Sequence, residues 1–362
     1  MSDSGKEMSA CLKVPKPLAE RLRRLLQENG MLRPDLKVGR EEDFVLLPLE
    51  PSFAEFGALE GFLPDAAAGG TACAAELAEG EFEKMKVAVN YKDLAQVPPA
   101  LKNLLPSSFD IVGDIAIIKL QDELLPYCEE IGKAMLKALK TVRVVCLDGG
   151  VKGEFRLRDL KIIAGEQRTE TTQREYGINI TVDIAKAYYS PRLAAARGAV
   201  VPQVKEGAVV VDMFGGVAPF GVMIAKRAKP SKVYSIDLNP DAVDYALRNA
   251  KNNGVENRVE PICGDARDVV AALASKGIRA DHVIMNLPHS AYEFFPDALS
   301  ISKNGTVVHY FEILDRNEID ARIGLLGELA AKAGFAAELF SLKEIRSYSP
   351  SDVNIAVDLL LS

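Results

Sequence analysis

Hydrophobic positions near the N-terminus predict a small α/β unit. Four leucines recur at helical spacing and predict one helix: Leu18, Leu22, Leu25 and Leu26. The apolar run 44–49 predicts a strand, and the run 86–89 predicts another. Between these strands, residues 61–80 are rich in glycine and alanine and predict a variable loop or a loose helix. The pair Pro98-Pro99 marks the predicted boundary of the unit.

A second unit, made of short strands and one helix, follows the proline pair. Residues 109–119 predict two strands around Gly113, and residues 142–147 predict a strand that ends at Gly149-Gly150. The helix predicted over 129–140 has its apolar positions on one face: Ile131, Met135, Leu136 and Leu139. Alternating apolar and charged residues over 155–180 predict a small sheet. We therefore expect an α+β unit.

Strands and helices alternate from about residue 197 onward. Four strands are predicted, at 208–212, 233–237, 259–263 and 281–286. The first has the continuous hydrophobicity of a parallel strand that is covered on both faces. Asn239 predicts the start of a helix and Gly254 its end. The predicted buried stripe of this helix is Val243, Leu247 and Ala250. The pattern predicts a doubly wound α/β sheet with its ligand site at the carboxyl ends of the strands.

The composition is that of a globular protein. Of its 362 residues, 48% are hydrophobic and 26% are charged, and this length predicts about two or three domains. The sequence has no run of about 18 apolar residues and no hydrophobic leader segment. We therefore expect a soluble, cytoplasmic protein that does not contact a membrane. The five cysteines include no Cys-x-x-Cys pair, so neither a metal site nor a disulfide framework is expected.

The net charge of −7 argues, by itself, against a polyanionic partner. The charge is unevenly distributed, however: residues 41–90 carry −9, residues 11–40 carry +5 and residues 151–200 carry +3. Two basic segments separated by an acidic one can contact phosphates at two places. A solvated helix face is the simpler explanation of the first basic segment.

Acidic residues end three successive strands, and they are Asp212, Asp237 and Asp265. The turn at Gly215 and Gly216 lets the backbone approach a ligand closely, and the following helix has free N–H groups. An acid 25 residues after Asp212 suits the hydroxyls of a ribose. The glycines lack the Gly-x-Gly-x-x-Gly spacing of a pyrophosphate-binding loop, which disfavours NAD. S-adenosylmethionine, a nucleoside without phosphates, is the favoured cofactor.

The fourth strand ends at Asn286-Leu-Pro-His289. Proline makes this backbone rigid, and the asparagine amide can hydrogen-bond the edge of a planar nitrogen base. These properties favour a nucleobase as methyl acceptor over a carboxylate or a phenol. Asn-x-Pro also forms ordinary turns, but its position directly after an apolar strand gives it more weight here.

Three segments together resemble the archaeal and eukaryotic tRNA (guanine-N1)-methyltransferases that modify guanosine 37, beside the anticodon: 212–220, 234–240 and 283–294. Further similar segments are 11–16, 153–158 and 183–193, so the resemblance covers nearly the whole chain. It implies a small tRNA-contacting domain at 1–97, a middle α+β domain at 98–196 and a class I, Rossmann-like methyltransferase domain at 197–362. We expect a monomer whose partner is tRNA.

The resemblance also implies roles for matched residues. Arg156 would donate to O6 of the target guanine and stabilise the charge that builds there, Tyr188 would pack near the flipped base, and Asn286 would hold its edge. The implied catalytic residues are Arg156, Tyr188, Asn286 and Pro288. The implied cofactor-binding residues are Asp212, Phe214, Gly215, Pro219, Phe220, Asp237, Leu238, Asp265, Ala266 and Asn286. The implied RNA-binding residues are Lys13, Lys16, Arg192 and Arg197.

One position departs from the family pattern. A glutamate proposed to accept the N1 proton commonly precedes the arginine that matches Arg197, and Ala196 occupies its place here. A methyl group cannot accept a proton, so another group or water must serve, or the reaction is slow. Glu293 and Asp212 are the candidate substitutes, and Ala196→Glu is expected to accelerate methylation.

Three other functions stay open from the sequence. A relative in the wybutosine pathway transfers the aminocarboxypropyl group of the same cofactor at the same tRNA position. In that relative the Asn-Leu-Pro segment is typically replaced, so residues 286–288 favour methyl transfer. Some archaeal methyltransferases of the family also methylate the tricyclic intermediate of the wybutosine pathway, and this second activity stays open. The second alternative is a tRNA-binding relative that has lost catalysis, which the replacement of the family glutamate by Ala196 would indicate. An NAD oxidoreductase is a distant third.

Overall fold

The computed structural model describes residues 6–28, 31–50, 75–84, 90–153, 155, 157–347, 349 and 351–362. The chain folds into two units, Met1–Val89 and Asn90–Ser362, each with its own core. The strand predicted at 86–89, most of the loop predicted at 61–80, and Arg156 lie outside the described residues. The domain boundaries predicted near 97 and 196 stay predictions.

The first unit is an antiparallel sheet that packs on one helix. Its strands are β1 (Lys6–Pro15), β2 (Gly39–Arg40), β3 (Phe44–Pro48) and β4 (Glu76–Glu83), in the order β2-β3-β1-β4. Helix α1 (Lys16–Glu28) buries Leu22 and Leu26 in one core with Leu12 and Leu47, which confirms the predicted helix and strand. Because β4 begins at Glu76, the loop predicted over 61–80 is wrong at its end. Backbone pairing with β1 and the buried side chain of Phe82 hold this acidic edge strand.

The second unit begins with a four-stranded sheet. Its strands lie side by side in chain order, and they are β5 (Asp110–Val112), β6 (Ile115–Ile118), β7 (Val144–Lys152) and β8 (Leu157–Gly165). Helix α2 (Tyr91–Leu94) precedes it, and helix α3 (Cys128–Ala138) buries Ile131 and Met135 against it, as predicted. The strand end predicted at Gly149-Gly150 is wrong, because a register shift between β7 and β8 accommodates these glycines.

A two-stranded antiparallel ribbon connects this sheet with the remaining part of the unit. Its strands are β9 (Glu170–Glu175) and β10 (Ile178–Asp183). Gln173 Oε1 accepts a hydrogen bond from Gly113 N at 2.7 Å, in the turn between β5 and β6. On β10, Thr181 N donates to Asn249 Oδ1 at 2.8 Å and Thr181 O accepts from Asn249 Nδ2 at 2.9 Å. The ribbon is therefore fixed on both sides.

The largest sheet has seven strands in the order β13-β12-β11-β14-β15-β17-β16. They are β11 (Val209–Asp212), β12 (Lys232–Asp237), β13 (Val259–Cys263), β14 (His282–Asn286), β15 (Val307–Asp315), β16 (Ala337–Ser347) and β17 (Asp352–Leu361). The first five in this order are parallel, and β17 is antiparallel to both of its neighbours, β15 and β16. This confirms the predicted doubly wound sheet.

Six helices accompany these strands in the described part of the chain. They are α4 (Ala194–Val200), α5 (Pro219–Arg227), α6 (Pro240–Asn252), α7 (Ala266–Ser275), α8 (Phe295–Ser300) and α9 (Ile319–Lys332). At the start of α6, Asn239 Oδ1 accepts from Asp241 N at 3.0 Å, and Gly254 follows the helix with φ of +66°, as predicted. The predicted stripe is wrong at Leu247, which is exposed, because α6 turns Asn249 towards the ribbon. No helix in the described ranges is long and apolar enough to cross a membrane.

Candidate active site

A cavity of about 490 Å³ lies at the carboxyl ends of β11, β12, β13 and β14. The segment after each strand contributes to its wall, at 213–216, 237–239, 264–267 and 286–290. Further wall residues come from earlier in the chain, and they are Phe155, Tyr188, Tyr189, Ser190, Leu193 and Arg197. Doubly wound sheets bind ligands at this edge, and the volume is typical of ligand pockets.

The glycine-rich turn after β11 lies against β12. Gly215 N donates a hydrogen bond to Ile236 O at 2.7 Å, and a Cβ on Gly215 would lie 2.0 Å from Ser235 Oγ. Gly216 has φ of +53°, in the left-handed region that residues with a Cβ rarely adopt. Both positions therefore require glycine, and the turn presents bare backbone to the cavity before α5 begins at Pro219.

Asp237 lies at the end of β12 and lines the cavity. Its Oδ2 accepts a hydrogen bond from Gly216 N at 2.7 Å, and its Oδ1 accepts one from Asn239 N at 2.9 Å. Burial raises the pKa of this carboxyl, although both backbone N–H groups act in the opposite direction. Each carboxylate oxygen has a further lone pair. Asp237 is thus a fixed acceptor suited to ligand hydroxyls.

Asp212 lies behind the turn and not in the cavity wall. It is fully buried, with both carboxylate oxygens enclosed by protein. Burial raises the pKa of Asp212 to about 8. The predicted direct contact with a cofactor is therefore corrected, because Asp212 has no surface on the cavity. The other predicted cofactor-binding residues all line it: Phe214, Gly215, Pro219, Phe220, Asp237, Leu238, Asp265, Ala266 and Asn286.

The side of the cavity near β13 combines a carboxylate with apolar and aromatic groups. Asp265 Oδ1 accepts a hydrogen bond from Arg267 N at 2.8 Å and so caps α7. Phe214 and Phe294 pack edge to face with ring centroids 5.0 Å apart, and the Arg267 guanidinium lies 3.9 Å from the Phe294 centroid. Arg267 and Phe294 are wall residues that were not predicted from the sequence. Two features of the sequence could have identified them. Arg267 lies two residues after Asp265, and Phe294 follows the Asn-Leu-Pro segment at 286–288.

The segment after β14 is held by the neighbouring strand. Ile313 N on β15 donates a hydrogen bond to Pro288 O at 2.7 Å. Asn286, Pro288 and Tyr188 all line the cavity, and Tyr188 is 39% exposed. The structure therefore brings together three of the four predicted catalytic residues, and Arg156 lies outside the described residues.

Arg197 is buried, which contradicts the predicted phosphate contact. Its side chain is 1% exposed. Its Nε and Nη2 donate to Glu175 Oε1 and Oε2 at 2.7 and 2.6 Å, and its Nη1 donates to Ser190 O at 3.3 Å. The prediction is wrong because the guanidinium is enclosed and its donors already have protein acceptors.

The other predicted RNA-binding residues also have protein partners. Arg192, on the second unit, forms an ion pair with Asp110 at 2.5 Å. In the first unit, Lys13 forms an ion pair with Glu41 at 2.8 Å, and Lys16 Nζ donates to a backbone carbonyl of the β2–β3 turn. All three keep some exposed surface. Their phosphate contacts stay predictions.

The position of Ala196 bears on the proton acceptor. Ala196 packs against the core and does not line the cavity, so the acceleration expected from Ala196→Glu loses its structural basis. Of the two substitute carboxylates, Glu293 lines the cavity and Asp212 does not. The Glu293 side chain is 66% exposed, and its Oε2 lies 4.0 Å from Arg267 Nη2. Glu293 is thus the candidate acceptor.

The fold and this cavity define a class I methyltransferase. The strand order, with antiparallel β17 inserted beside β15, is that of the class. The glycine turn, Asp237 and Asp265 occupy its nucleoside-binding edge. In the part of the chain that the structure describes, no group of His, Cys, Asp and Glu side chains could hold a metal ion.

Comparisons with known proteins narrow the class to a family. Three family models match: the TRM5/TYW2 methyltransferase domain at 171–336, the TYW2 N-terminal domain at 93–169 and the tRNA methyltransferase 5 N-terminal domain at 11–56. The tRNA (guanine(37)-N(1))-methyltransferase Trm5b of Pyrococcus abyssi is 39% identical over 358 residues, which cover 98% of this chain and 100% of the relative. The crystal structure of P. abyssi Trm5b, 38% identical, matches 98% of this chain and 99% of its own with a TM-score of 0.71. The chain therefore belongs to the Trm5 family of tRNA methyltransferases.

Two further relatives mark the breadth of the similarity. The structure of a complex of aTrm5 and tRNALeu is 32% identical, with a TM-score of 0.67 and coverage of 97% of this chain and 99% of that one. The tRNA(Phe) (4-demethylwyosine(37)-C(7)) aminocarboxypropyltransferase of Methanocaldococcus jannaschii is 32% identical over 248 residues, 68% of this chain and 95% of the relative. The aminocarboxypropyltransferase thus leaves part of this chain unmatched, whereas the Trm5 proteins match nearly all of it.

Proposed function

We propose that this chain transfers a methyl group from S-adenosylmethionine to N1 of guanosine 37 in tRNA. The observation that carries the proposal is that Asp237 and the rigid segment 286–288 line one cavity. A nucleoside bound at Asp237 and a base bound at Asn286 would be close together, as direct transfer requires. Similarity to Trm5b over 98% of the chain supports this specificity.

The residues present fit S-adenosylmethionine. Gly215 and Gly216 keep the turn free of side chains where it forms the cavity wall. Asp237 would accept hydrogen bonds from the ribose hydroxyls, and Leu238 and Ala266 would contact the adenine ring. When bound, the cofactor supplies an electrophilic methyl group attached to a positively charged sulfur.

Three described residues would bind the target base. The Asn286 amide has both a donor and an acceptor for the guanine edge. Pro288 limits the motion of this backbone, which Ile313 N also holds. Tyr188 has an exposed ring for packing against the base. Arg156, outside the described residues, is proposed to donate to O6.

A proton must leave guanine N1 as the bond to the methyl group forms. We assign its acceptance to Glu293, whose carboxylate belongs to the cavity wall. The other carboxylates in the wall, Asp237 and Asp265, already accept backbone N–H groups at the strand ends. A positioned general base contributes about 10²–10⁴-fold to such a step.

The proposed partner is tRNA, with Lys13, Lys16 and Arg192 as phosphate contacts. The local charge of +5 over residues 11–40 and +3 over 151–200 supports two contact regions. The proposal also includes three domains at 1–97, 98–196 and 197–362, a monomeric state and a cytoplasmic location. Light scattering with and without tRNA tests the monomeric state.

Aminocarboxypropyl transfer is the second candidate, because the M. jannaschii relative with that name is 32% identical. A relative without catalysis is the third, because Ala196 stands where the family commonly has a glutamate.

The test uses two tRNA transcripts that differ only at position 37, with guanosine in one and adenosine in the other. S-adenosylmethionine is labelled either in its methyl group or in its carboxyl group. We expect label only from the methyl-labelled cofactor and only in the guanosine transcript. A third tRNA carries 4-demethylwyosine at position 37, the base in the name of the M. jannaschii relative. Label from the carboxyl-labelled cofactor in this tRNA would show aminocarboxypropyl transfer, and the absence of label from both cofactors in all three tRNAs would show a relative without catalysis.

A further inference from the structure

A buried ionic cluster lies at the cavity wall, where three of its four residues, all but Glu175, line the cavity. The proposed reaction makes no use of this cluster. It consists of Glu175, Tyr189, Ser190 and Arg197, and we call it the arginine clamp. Arg197 is 1%, Tyr189 4% and Glu175 7% exposed. Burying an ion pair carries a desolvation cost that its attraction only partly offsets. Its place in the wall therefore suggests a role beyond stability.

The hydrogen bonds of the clamp converge on the Glu175 carboxylate. Arg197 binds it with two parallel hydrogen bonds of 2.7 and 2.6 Å, and the Tyr189 hydroxyl donates to Oε2 at 2.9 Å. Arg197 also donates to Ser190 O at 3.3 Å. Two-point binding of this kind fixes both distance and orientation. Glu175 and Arg197 thus hold a side chain and a carbonyl of the segment 188–190.

The carboxylate of Glu175 stands on a rigid support. Glu175 ends β9, and Tyr176 follows it in the tight turn of the ribbon with φ of +44°. The Tyr176 ring covers Gly198 of α4, where a Cβ would lie 3.3 Å from the ring. Further along β9, Thr171 Oγ1 and Gln173 Oε1 accept hydrogen bonds from the backbone of the β5–β6 turn. Both Glu175 and the helix that carries Arg197 are therefore held by the ribbon.

The clamp acts on the residue that precedes it in the chain. Tyr188 lies directly before the clamped Tyr189 and Ser190, and all three line the cavity. Tyr188 O also faces the cofactor turn, since a Cβ on Gly216 would lie 3.6 Å from it. A shift of the 188–190 segment would therefore move Tyr188 relative to both halves of the cavity.

We propose that the arginine clamp positions Tyr188 for the target base, with Arg197 as a positioning residue and Glu175 as its essential partner. This inference rests on the proposed function, in which Tyr188 packs against guanosine 37. It differs from a phosphate contact by Arg197 in one clear respect. Loss of Glu175 should then harm the reaction as loss of Arg197 does, whereas a phosphate-binding arginine would not need a carboxylate.

The experiment compares Glu175→Gln, Arg197→Gln and their double variant with the parent. Single-turnover methylation of a guanosine-37 transcript is measured with saturating cofactor and tRNA, and tRNA affinity is measured at several salt concentrations. Each single variant should slow methylation about 10- to 100-fold, as small misplacements of catalytic groups do. The double variant should be no slower than the slower single variant, because the two residues act as one unit. The salt dependence of tRNA binding should not change.

Tyr188 and a distant core residue supply the matched controls. In a Tyr188→Ala background, Glu175→Gln should slow methylation no further, because the clamp acts through Tyr188. Leu361→Ala creates a cavity in the core near the first residues of β15, at the end of the sheet opposite to the carboxyl ends that form the site. It should lower the melting temperature while the rate is retained. Tyr189→Phe removes the two hydrogen bonds of the Tyr189 hydroxyl but keeps the ion pair of Glu175 and Arg197, and it should slow methylation less than Arg197→Gln. If Glu175→Gln and Arg197→Gln do not fold, Tyr189→Phe takes their place as the test of the clamp.

Three results would overturn the clamp. In the first, the slope of log K for tRNA binding against log salt concentration is smaller by about one in Arg197→Gln than in the parent. Such a change indicates the loss of one phosphate contact. Another is a rate that follows the melting temperature in all variants, Leu361→Ala included. A third is full additivity of Glu175→Gln with Tyr188→Ala. If the parent transfers no methyl group, the proposed function fails, and the salt dependence still decides whether Arg197 meets a phosphate.

Discussion

Replacing Asp237 with asparagine tests the cofactor half of the cavity. The change keeps the size of the side chain and removes its charge. Both carboxylate oxygens accept backbone N–H groups, from Gly216 at 2.7 Å and Asn239 at 2.9 Å, so the new amide nitrogen must face one of these donors. A hydrogen bond to a charged acceptor contributes about 1.5–3 kcal/mol. We therefore expect the Kd for S-adenosylmethionine to rise about 10- to 150-fold.

Calorimetric titration of S-adenosylmethionine into the parent and the variant measures this change. Asp241→Asn is the matched control, because Asp241 is an exposed carboxylate in the first turn of α6 and does not line the cavity. Its affinity should equal that of the parent. Circular dichroism and the melting temperature show whether each variant is folded. A folded Asp237→Asn protein that binds the cofactor as tightly as the parent would refute the assignment of Asp237 to the ribose.

Three further predictions concern the proton acceptor, pH and the first unit. Glu293→Gln should slow single-turnover methylation about 10²–10⁴-fold with cofactor affinity retained, and a rate equal to that of the parent would exclude Glu293 as the acceptor. Burial, with the nearby His309, lowers the pKa of His282 from 6.5 to about 4, so the unfolded chain binds a proton that the folded chain does not. Denaturant titrations should therefore show stability falling by up to about 3 kcal/mol as the pH drops from 6.5 to 4, and the fall should be smaller in His282→Gln. Deleting residues 1–89 should leave cofactor affinity unchanged and weaken tRNA binding in a filter assay, and unchanged tRNA affinity would contradict the proposed role of Lys13 and Lys16.

The parallel strands and the cofactor side of the cavity were predictable because their signals are local. Asp237 and Asn286 each follow a continuous apolar strand, and strand ends on one edge of a parallel sheet meet in space. The insertion of β17 beside β15 has no such local signal, because it depends on pairing between distant segments. The acidic strand β4 was missed because four of its eight residues are glutamates and because it pairs with β1, a distant segment.

The two errors in the site also have physical causes. Asp212 and Asp237 look alike in the sequence, as acids at strand ends, but the turn at Gly215 folds over Asp212 and leaves only Asp237 in the wall. Arg197 could not be recognised as buried, because its partner Glu175 lies 22 residues earlier in the chain. Only the folded ribbon brings the two charges together.

Nucleoside mass spectrometry of the reacted tRNA tests directly whether the protein methylates N1 of guanosine 37. A guanosine-37 transcript is incubated with S-adenosylmethionine and either the parent or Asp237→Asn, at a cofactor concentration near the Kd of the parent, and is then digested to nucleosides. We expect 1-methylguanosine from the parent, much less from Asp237→Asn at equal times, and none from a transcript with adenosine at position 37. A folded parent that binds cofactor and tRNA but leaves guanosine 37 unmethylated at N1 would contradict it.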